Sequence, residues 1–549
     1  MKKVKAILAL ILVACLFVTL FAACAKNEPT YTNTNKEQNT NTNTSTNTNT
    51  ENKDTGSEDK APADDEGEEP AVDPGEESLV PFEEEISLKI VFYDMRGKGG
   101  DYGDGVEAYA NNITKETLNV VCDYIWIGPG DWKSKAEVAL SSGERFDVMN
   151  LSPMTRVAAL YPQGLVMAID EYIEDYGSAV YELTKEYIGT YTFDGNIYGF
   201  PTLRNYCKNG YILMRTDMLE EMGLVEQAKA IDSWSDYDAI LKAVKENYTD
   251  KGVGIFGVGS STIASTDYFC TGDSFDTFYT VDNLGDSLSN GVMYAETDGV
   301  VRLYQESASY KNVLEWNQKW FDAGYLWPES AITSEFVDDV MKQGLIFSNI
   351  CGSETGVEIT KEGAYGFDIT VVNTCIGMIK TSQPVFTGIC VPITCEEPEA
   401  AVAWINELYT NSDLMNTLVC GIEGTDYNIV EGEVVRTENA GYLNVDFVLG
   451  NNTILTPLKG NGADFYDIVR ETNAKADKSR YLGFVLNTAE MDLLISQLSA
   501  VGDQYAKTMI YGGYTEASLA DYIDKLEDAG VRDYIAAAQE QLDAWLASH

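Results

Sequence analysis

Between residues 87 and 160, short runs of strand composition alternate with stretches of helical spacing. That alternation limits the possible folds more than any other feature of the chain. Ser87 to Tyr93 is rich in β-branched and aromatic residues and predicts a strand. Val106 to Leu118 has helical spacing, and Asn119 to Trp126 reads as a second strand. Trp132 to Leu140 predicts a helix stopped at Gly143, Phe146 to Met149 a third strand, and Met154 to Leu160 a helix ending near Gly164. This order argues for right-handed βαβ units and a mostly parallel sheet, an α/β fold. Further strands are predicted at Tyr211–Met214, Leu345–Ser348, Asp368–Val372 and Thr387–Val391. Near the C-terminus, Leu519, Tyr522, Ile523 and Leu526 form one helical stripe. Tyr534, Ile535, Leu542, Trp545 and Leu546 form a second beyond a stop at Gly530. Both stripes, like the Trp316 and Trp320 pair at i, i+4, read as core packing.

At 549 residues the chain exceeds what one core holds, roughly 250–300 residues, so more than one lobe is expected. It has 38 Lys and Arg against 87 Asp and Glu, a formal charge of −49, which makes nucleic acid a poor partner. The single histidine is His549, at the end. Internal Ser-His-Asp triads, Cys-His dyads, His-ligated iron and HExxH zinc sites are thereby excluded. There is no G-x-x-x-x-G-K-[ST], G-x-S-x-G or C-x-x-C, and no calcium loop of EF-hand spacing. Gly103 to Ala108 fits G-x-G-x-x-A, but Asp101, Asp104 and Glu107 would repel a pyrophosphate. No cofactor or metal is expected.

Lys2, Lys3 and Lys5 precede an uncharged apolar run from Ala6 to Ala23, the layout of an export signal. Leu20-Phe21-Ala22-Ala23-Cys24, followed at once by polar chain, resembles the bacterial lipobox, with Phe21 where Leu or Val is usual. The resemblance implies a signal peptide over 1–23 and a lipid on Cys24. It also implies a protein anchored on the extracellular face of the cell membrane. Residues 24–85 are Asn- and Thr-rich, then rich in Glu, Asp, Gly and Pro, and read as a disordered tether. A stalk of about 60 such residues spans roughly 40–45 Å. Eight cysteines follow: Cys122, Cys207, Cys270, Cys351, Cys375, Cys390, Cys395 and Cys420. Several lie in apolar runs, and mostly free thiols are expected.

The ordered part resembles the extracellular solute-binding proteins (family 1) of bacterial carbohydrate ABC transporters, in the subgroup tied to oligosaccharide import. The residues that carry this are Lys135 to Val148 with Ser142-Gly143-Glu144, Ala159 to Tyr172, and Asp194-Gly-Asn-Ile-Tyr-Gly-Phe-Pro201. Ile212 to Gly223, Trp234 to Leu241, Trp320 to Glu329, Glu397 to Trp404, Gly421 to Tyr427 and Tyr481 to Leu546 continue the match, while 94–105 and 253–290 depart from it. The resemblance implies a two-lobed fold with a hinge. Lobe 1 is expected over 86–203 and 368–412, and lobe 2 over 204–367 and 413–549, the latter ending in helices. It also implies capture of an oligosaccharide or other small polar solute for an ABC transporter permease, with no catalysis. Two alternatives are an exported glycan hydrolase, which needs only paired carboxylates, and a receptor for a peptide or other polar solute.

The residues admit hinge and site independently. Asp194-Gly195 signals a turn, and Pro201 biases Phe200 to extended backbone, as suits a crossing between lobes. Ligands of open α/β sheets bind beyond the carboxyl ends of strands. Sugars need aromatic platforms with polar groups at their edges. The candidates are Tyr93, Asp94 and Arg96 after the first strand, and Trp126 and Trp132 around the second. Arg204, Asn205 and Tyr206 past Pro201, and Glu423 and Tyr427 in the later matched segment, complete the set.

Overall fold

The alternation predicted for residues 87–160 is present. The computed structural model describes residues 80–549 apart from 95–103, 153–154, 249–253, 258–267, 287, 289–290, 328–336, 354–355, 439 and 489. The leader, Cys24, most of the tether and Arg96 lie outside the described residues. β1 (Ile86–Tyr93), β2 (Val120–Ile127) and β3 (Val148–Leu151) are connected by the helix Asp104–Leu118, a π-helical turn at Lys133–Glu137 and a short helix, Val138–Ser141. β1 is parallel to both neighbours. The chain continues through β4 (Phe200–Pro201) and crosses to a second sheet, β5 (Asn209–Arg215), β6 (Gly254–Gly257), β7 (Ile346–Ser353) and β8 (Ile369–Cys375). It returns to the first sheet as β9 (Gly388–Cys390). The strand orders are β2-β1-β3-β9-β4 and β8-β5-β7-β6.

Three expectations need correction. The sheets are mixed, not mostly parallel: β9 is antiparallel to β3 and β4, and β5 to β7 and β8. These are the strands next to a crossing between bodies. A βαβ loop enforces parallel entry, whereas a strand delivered from another sheet can enter from the opposite end. The return read at 368 comes at β9, because Ile369–Cys375 pairs with β5 in the second sheet. The stretch 413–549 is also divided. Leu414 to Val469 shares a core with β1 and β2, whereas Tyr481 to Leu542 packs with Phe269, Leu284, Met293 and Tyr304. Apolar spacing makes a helix amphipathic but does not say which sheet it covers.

The C-terminal stripes are the helices Glu516–Asp528 and Val531–Ser548, separated at Gly530 with φ +91°. Leu519, Tyr522, Leu526, Tyr534 and Leu542 are buried there. Trp320 is fully buried under the second sheet, with Trp316 beside it at 5.6 Å. No disulfide joins the eight described cysteines. Among the described residues no helix is long and apolar enough to cross a membrane.

Candidate functional site

Three segments pass between the two bodies: 202–208 from β4 to β5, 376–387 from β8 to β9, and 476–480 from the helix Phe465–Lys475 to the C-terminal core. The approach to the first is as the sequence predicts. Asp194 and Gly195 take left-handed φ of +49° and +82°, closing a hairpin between Thr192–Phe193 and Asn196–Ile197. The crossings are tightly bound to one another. Met378–Ile379 pairs in parallel with Asp477–Lys478. A Cβ on Gly377 would stand 1.8 Å from the Lys208 carbonyl oxygen, so only glycine allows the first two crossings to touch there.

Arg204 joins the first crossing to the second. Its guanidinium donates to the Gln383 carbonyl at 3.0 Å and lies 5.2 Å from the Phe386 ring centre and 5.6 Å from that of Tyr206. Asn473, on the helix Phe465–Lys475, holds the same segment. Its Oδ1 accepts from the Tyr206 and Cys207 N–H groups at 3.0 and 3.3 Å, and its Nδ2 donates to the Arg204 carbonyl at 2.8 Å. Asn205, between these well-bonded residues, behaves differently. Its amide oxygen and nitrogen are both shielded, and neither has a hydrogen-bond partner among the described residues. Buried amides are nearly always paired. Once movement of the crossing uncovers it, such an amide can accept from one hydroxyl and donate to its neighbour, as adjacent sugar hydroxyls require.

The other predicted residues separate by strand parity. Register places Phe92 opposite Trp126 and Tyr93 opposite Ile127, so the two aromatic sets face opposite sides of the sheet. Trp126 is half-buried and stacks on Phe92 at 4.7 Å, beside the helix-covered core. Tyr93 and Asp94 stand at the carboxyl end of β1, as expected, but only 4% and 2% exposed. Burial raises the Tyr93 phenol above its ordinary pKa. Its N–H donates to Asn150 Oδ1 at 3.4 Å, and its ring meets Trp132 edge-on at 5.1 Å.

Two platforms are corrected outright. Trp132 has no exposed surface; its Nε1 donates to Thr155 Oγ1 at 2.9 Å, and Thr155 donates to the Glu137 carboxylate. Tyr206 is equally buried, its hydroxyl donating to the Thr202 carbonyl at 2.6 Å and its ring edge-on to Tyr187 at 4.6 Å. Neither has a ring face for a ligand in this arrangement. Tyr427 is buried at the base of a turn closed by Gly424 N–H to the Tyr427 carbonyl at 2.7 Å, and Glu423 is exposed on that turn.

Sequence reasoning missed Asn150, Gln383 and Asn473, which hold the site together. Asn150 leaves a signal, a polar residue inside the apolar strand Val148–Leu151. The other two come from segments far along the chain and leave none. Among the described residues no group of three His, Cys, Asp or Glu could hold a metal ion.

A family model for bacterial extracellular solute-binding proteins matches residues 108–421, and a model for a domain of unknown function matches 480–547. A carbohydrate ABC transporter substrate-binding protein of Streptococcus pneumoniae is 26% identical over 469 residues, 81% of this chain and 89% of that protein. The crystal structure of the N-glycan transport solute binding protein of Streptococcus pneumoniae has a TM-score of 0.70 at 21% identity, covering 84% of this chain and 99% of that one. In complex with Man1GlcNAc the same protein gives 0.64 at 21% identity, covering 84% of this chain and 100% of that one. The likeness is one of fold, α/β with two lobes.

Proposed function

The chain belongs to the bacterial extracellular solute-binding protein family, and from this we propose that it captures an oligosaccharide by closure of its two bodies and delivers it to an ABC transporter permease. It binds and releases this solute without chemistry upon it. The mature protein is held to the extracellular face of the membrane by a lipid on Cys24, through the tether that follows. The observation that carries the reading is the unpaired, shielded amide of Asn205 in the first crossing, where a solute between the bodies would touch both. Tyr93 and Asp94 stand at the carboxyl end of β1 in the same sheet, with Glu423 on an exposed turn. The carbohydrate and N-glycan names carried by relatives of the same fold support a glycan as the solute.

Isothermal calorimetry and thermal shift on the purified ectodomain test this against N-glycan fragments such as Man1GlcNAc and Man5GlcNAc, with fructan and milk oligosaccharides alongside. Saturable binding of one class, with a raised melting temperature and no cleavage products, is expected. Silence across the panel ends the sugar assignment, and turnover of a glycan ends the non-catalytic one.

A further inference from the structure

Arg156 takes no part in the crossings. It is the extended residue (φ −93°, ψ 154°) that opens the helix Val157–Leu160, just beyond the carboxyl end of β3. Val157 and Leu160 are buried in the first body. The Arg156 side chain leaves that body, and its Nη1 donates to the carbonyl oxygen of Gly285 at 2.7 Å. Gly285 belongs to the second body, where Leu284 and Leu288 pack with the C-terminal helices.

The turn that receives Arg156 is anchored on two further sides. Asp282 accepts from the Thr381 N–H at 3.0 Å and from its hydroxyl at 2.6 Å, fixing the turn to the second crossing. Asp286 is buried and accepts from the N–H groups of Leu288, Val292 and Met293 at 3.0, 2.8 and 3.3 Å, and from the Tyr534 hydroxyl at 3.0 Å. Leu284 and Gly285 both take left-handed φ, +55° and +71°, and a Cβ on Gly285 would stand 3.6 Å from Arg156 Nη1. On its own side Arg156 follows Thr155, which the Trp132 and Glu137 bonds hold. Burial disfavours the guanidinium charge, and attraction from Asp286 opposes that penalty. A charged donor is thus held at one end by the first sheet and received at the other by a carbonyl beside a buried carboxylate.

We propose that the Arg156–Gly285 bond is a tether that sets the resting angle between the two bodies, and through it the affinity for the solute. It rests on the reading of these bodies as a closing pair. An untethered receptor samples wider angles, so the binding-competent state is a smaller share of the ensemble and apparent affinity falls in proportion.

The test is a distance distribution between spin labels placed by Glu144→Cys and Asp524→Cys, one exposed position on each body, with Cys395, the one described thiol that is not buried, replaced by serine throughout. It is measured without ligand in the parent protein, Arg156→Ala and Arg156→Lys, with circular dichroism to establish folding. Arg156→Ala should broaden and lengthen the distribution, and Arg156→Lys, which keeps the cation, should do so less. Calorimetry with Man5GlcNAc should then show affinity lowered roughly tenfold in the Ala variant, the scale of one charged hydrogen bond. Identical ligand-free distributions in the parent and both variants overturn the tether. If Man5GlcNAc binds none of the proteins, the ligand-free distances still decide the tether, while the glycan reading fails separately.

Discussion

The first sheet and the first crossing are both rich in polar and aromatic side chains, but they use them differently. In the sheet region the polar groups serve the fold. Asp147 is fully buried and accepts from the Lys89 N–H at 2.8 Å, the Glu396 N–H at 3.1 Å and Arg145 Nε at 3.1 Å. Asn150 donates to the Gly388 and Val448 carbonyls at 3.0 and 2.6 Å while accepting from Tyr93. In the crossing, Arg204 and Tyr206 are held in the same way, yet Asn205 between them is not. The contrast teaches that a residue type predicted for recognition can be absorbed by the scaffold. On the proposed reading, Asn205 differs from its neighbours because its hydrogen-bonding capacity is left over once the fold is satisfied.

Substitutions can break this contrast. The largest effect is expected for Asp147→Ala, which orphans two backbone donors and leaves the Arg145 guanidinium with Glu396 as its one carboxylate partner; urea unfolding should show a loss of about 3 kcal/mol. Asn150→Ala should cost about 2 kcal/mol by stranding its carbonyl partners and the Tyr93 N–H. Asn205→Ala should invert the pattern. Its stability should be unchanged or higher by up to about 1 kcal/mol, because an unpaired buried amide is removed, while glycan affinity drops roughly tenfold. A stability loss like that of Asn150→Ala, with affinity preserved, would put Asn205 with the scaffold.

A smaller effect, dependent on pH, should appear at Asp286. Burial raises its carboxyl pKa, against the lowering by its backbone and Tyr534 hydrogen bonds. A raised folded pKa means the folded protein holds this proton more tightly than the unfolded chain. The stabilisation is then complete below the unfolded value of about 3.9 and is lost as pH rises through the folded value. The stability of the parent relative to Asp286→Asn should therefore decline as pH rises above about 4, as urea midpoints along a pH series would show. A flat difference would mean that the surrounding N–H groups and Arg156 fully offset the burial.

Much of the local structure was legible in the chain. The strands at 86–93, 120–127 and 369–375, the turn at Asp194-Gly195 and the helix stop at Gly530 follow from spacing and from residues that tolerate left-handed backbone. The site was legible only in position. Tyr93 and Asp94 are at the strand end and Arg204 to Tyr206 in the crossing, as read, but exposure was not readable. Trp132 and Tyr206 look like platforms in sequence and are buried because Thr155, Tyr187 and Asn473 close over them from other segments.

The chain alone determined that alternating strands and helices make an α/β protein, that its one histidine is His549, and that extended backbone runs through Pro201. These depend on contacts between near neighbours or on composition, and so are written locally. Only the tertiary structure decided that β9 enters its sheet antiparallel, that the C-terminal quarter serves two cores, and that Arg156 reaches Gly285. It alone decided which polar groups find partners, because each such bond depends on where a distant segment arrives, and no local spacing encodes that.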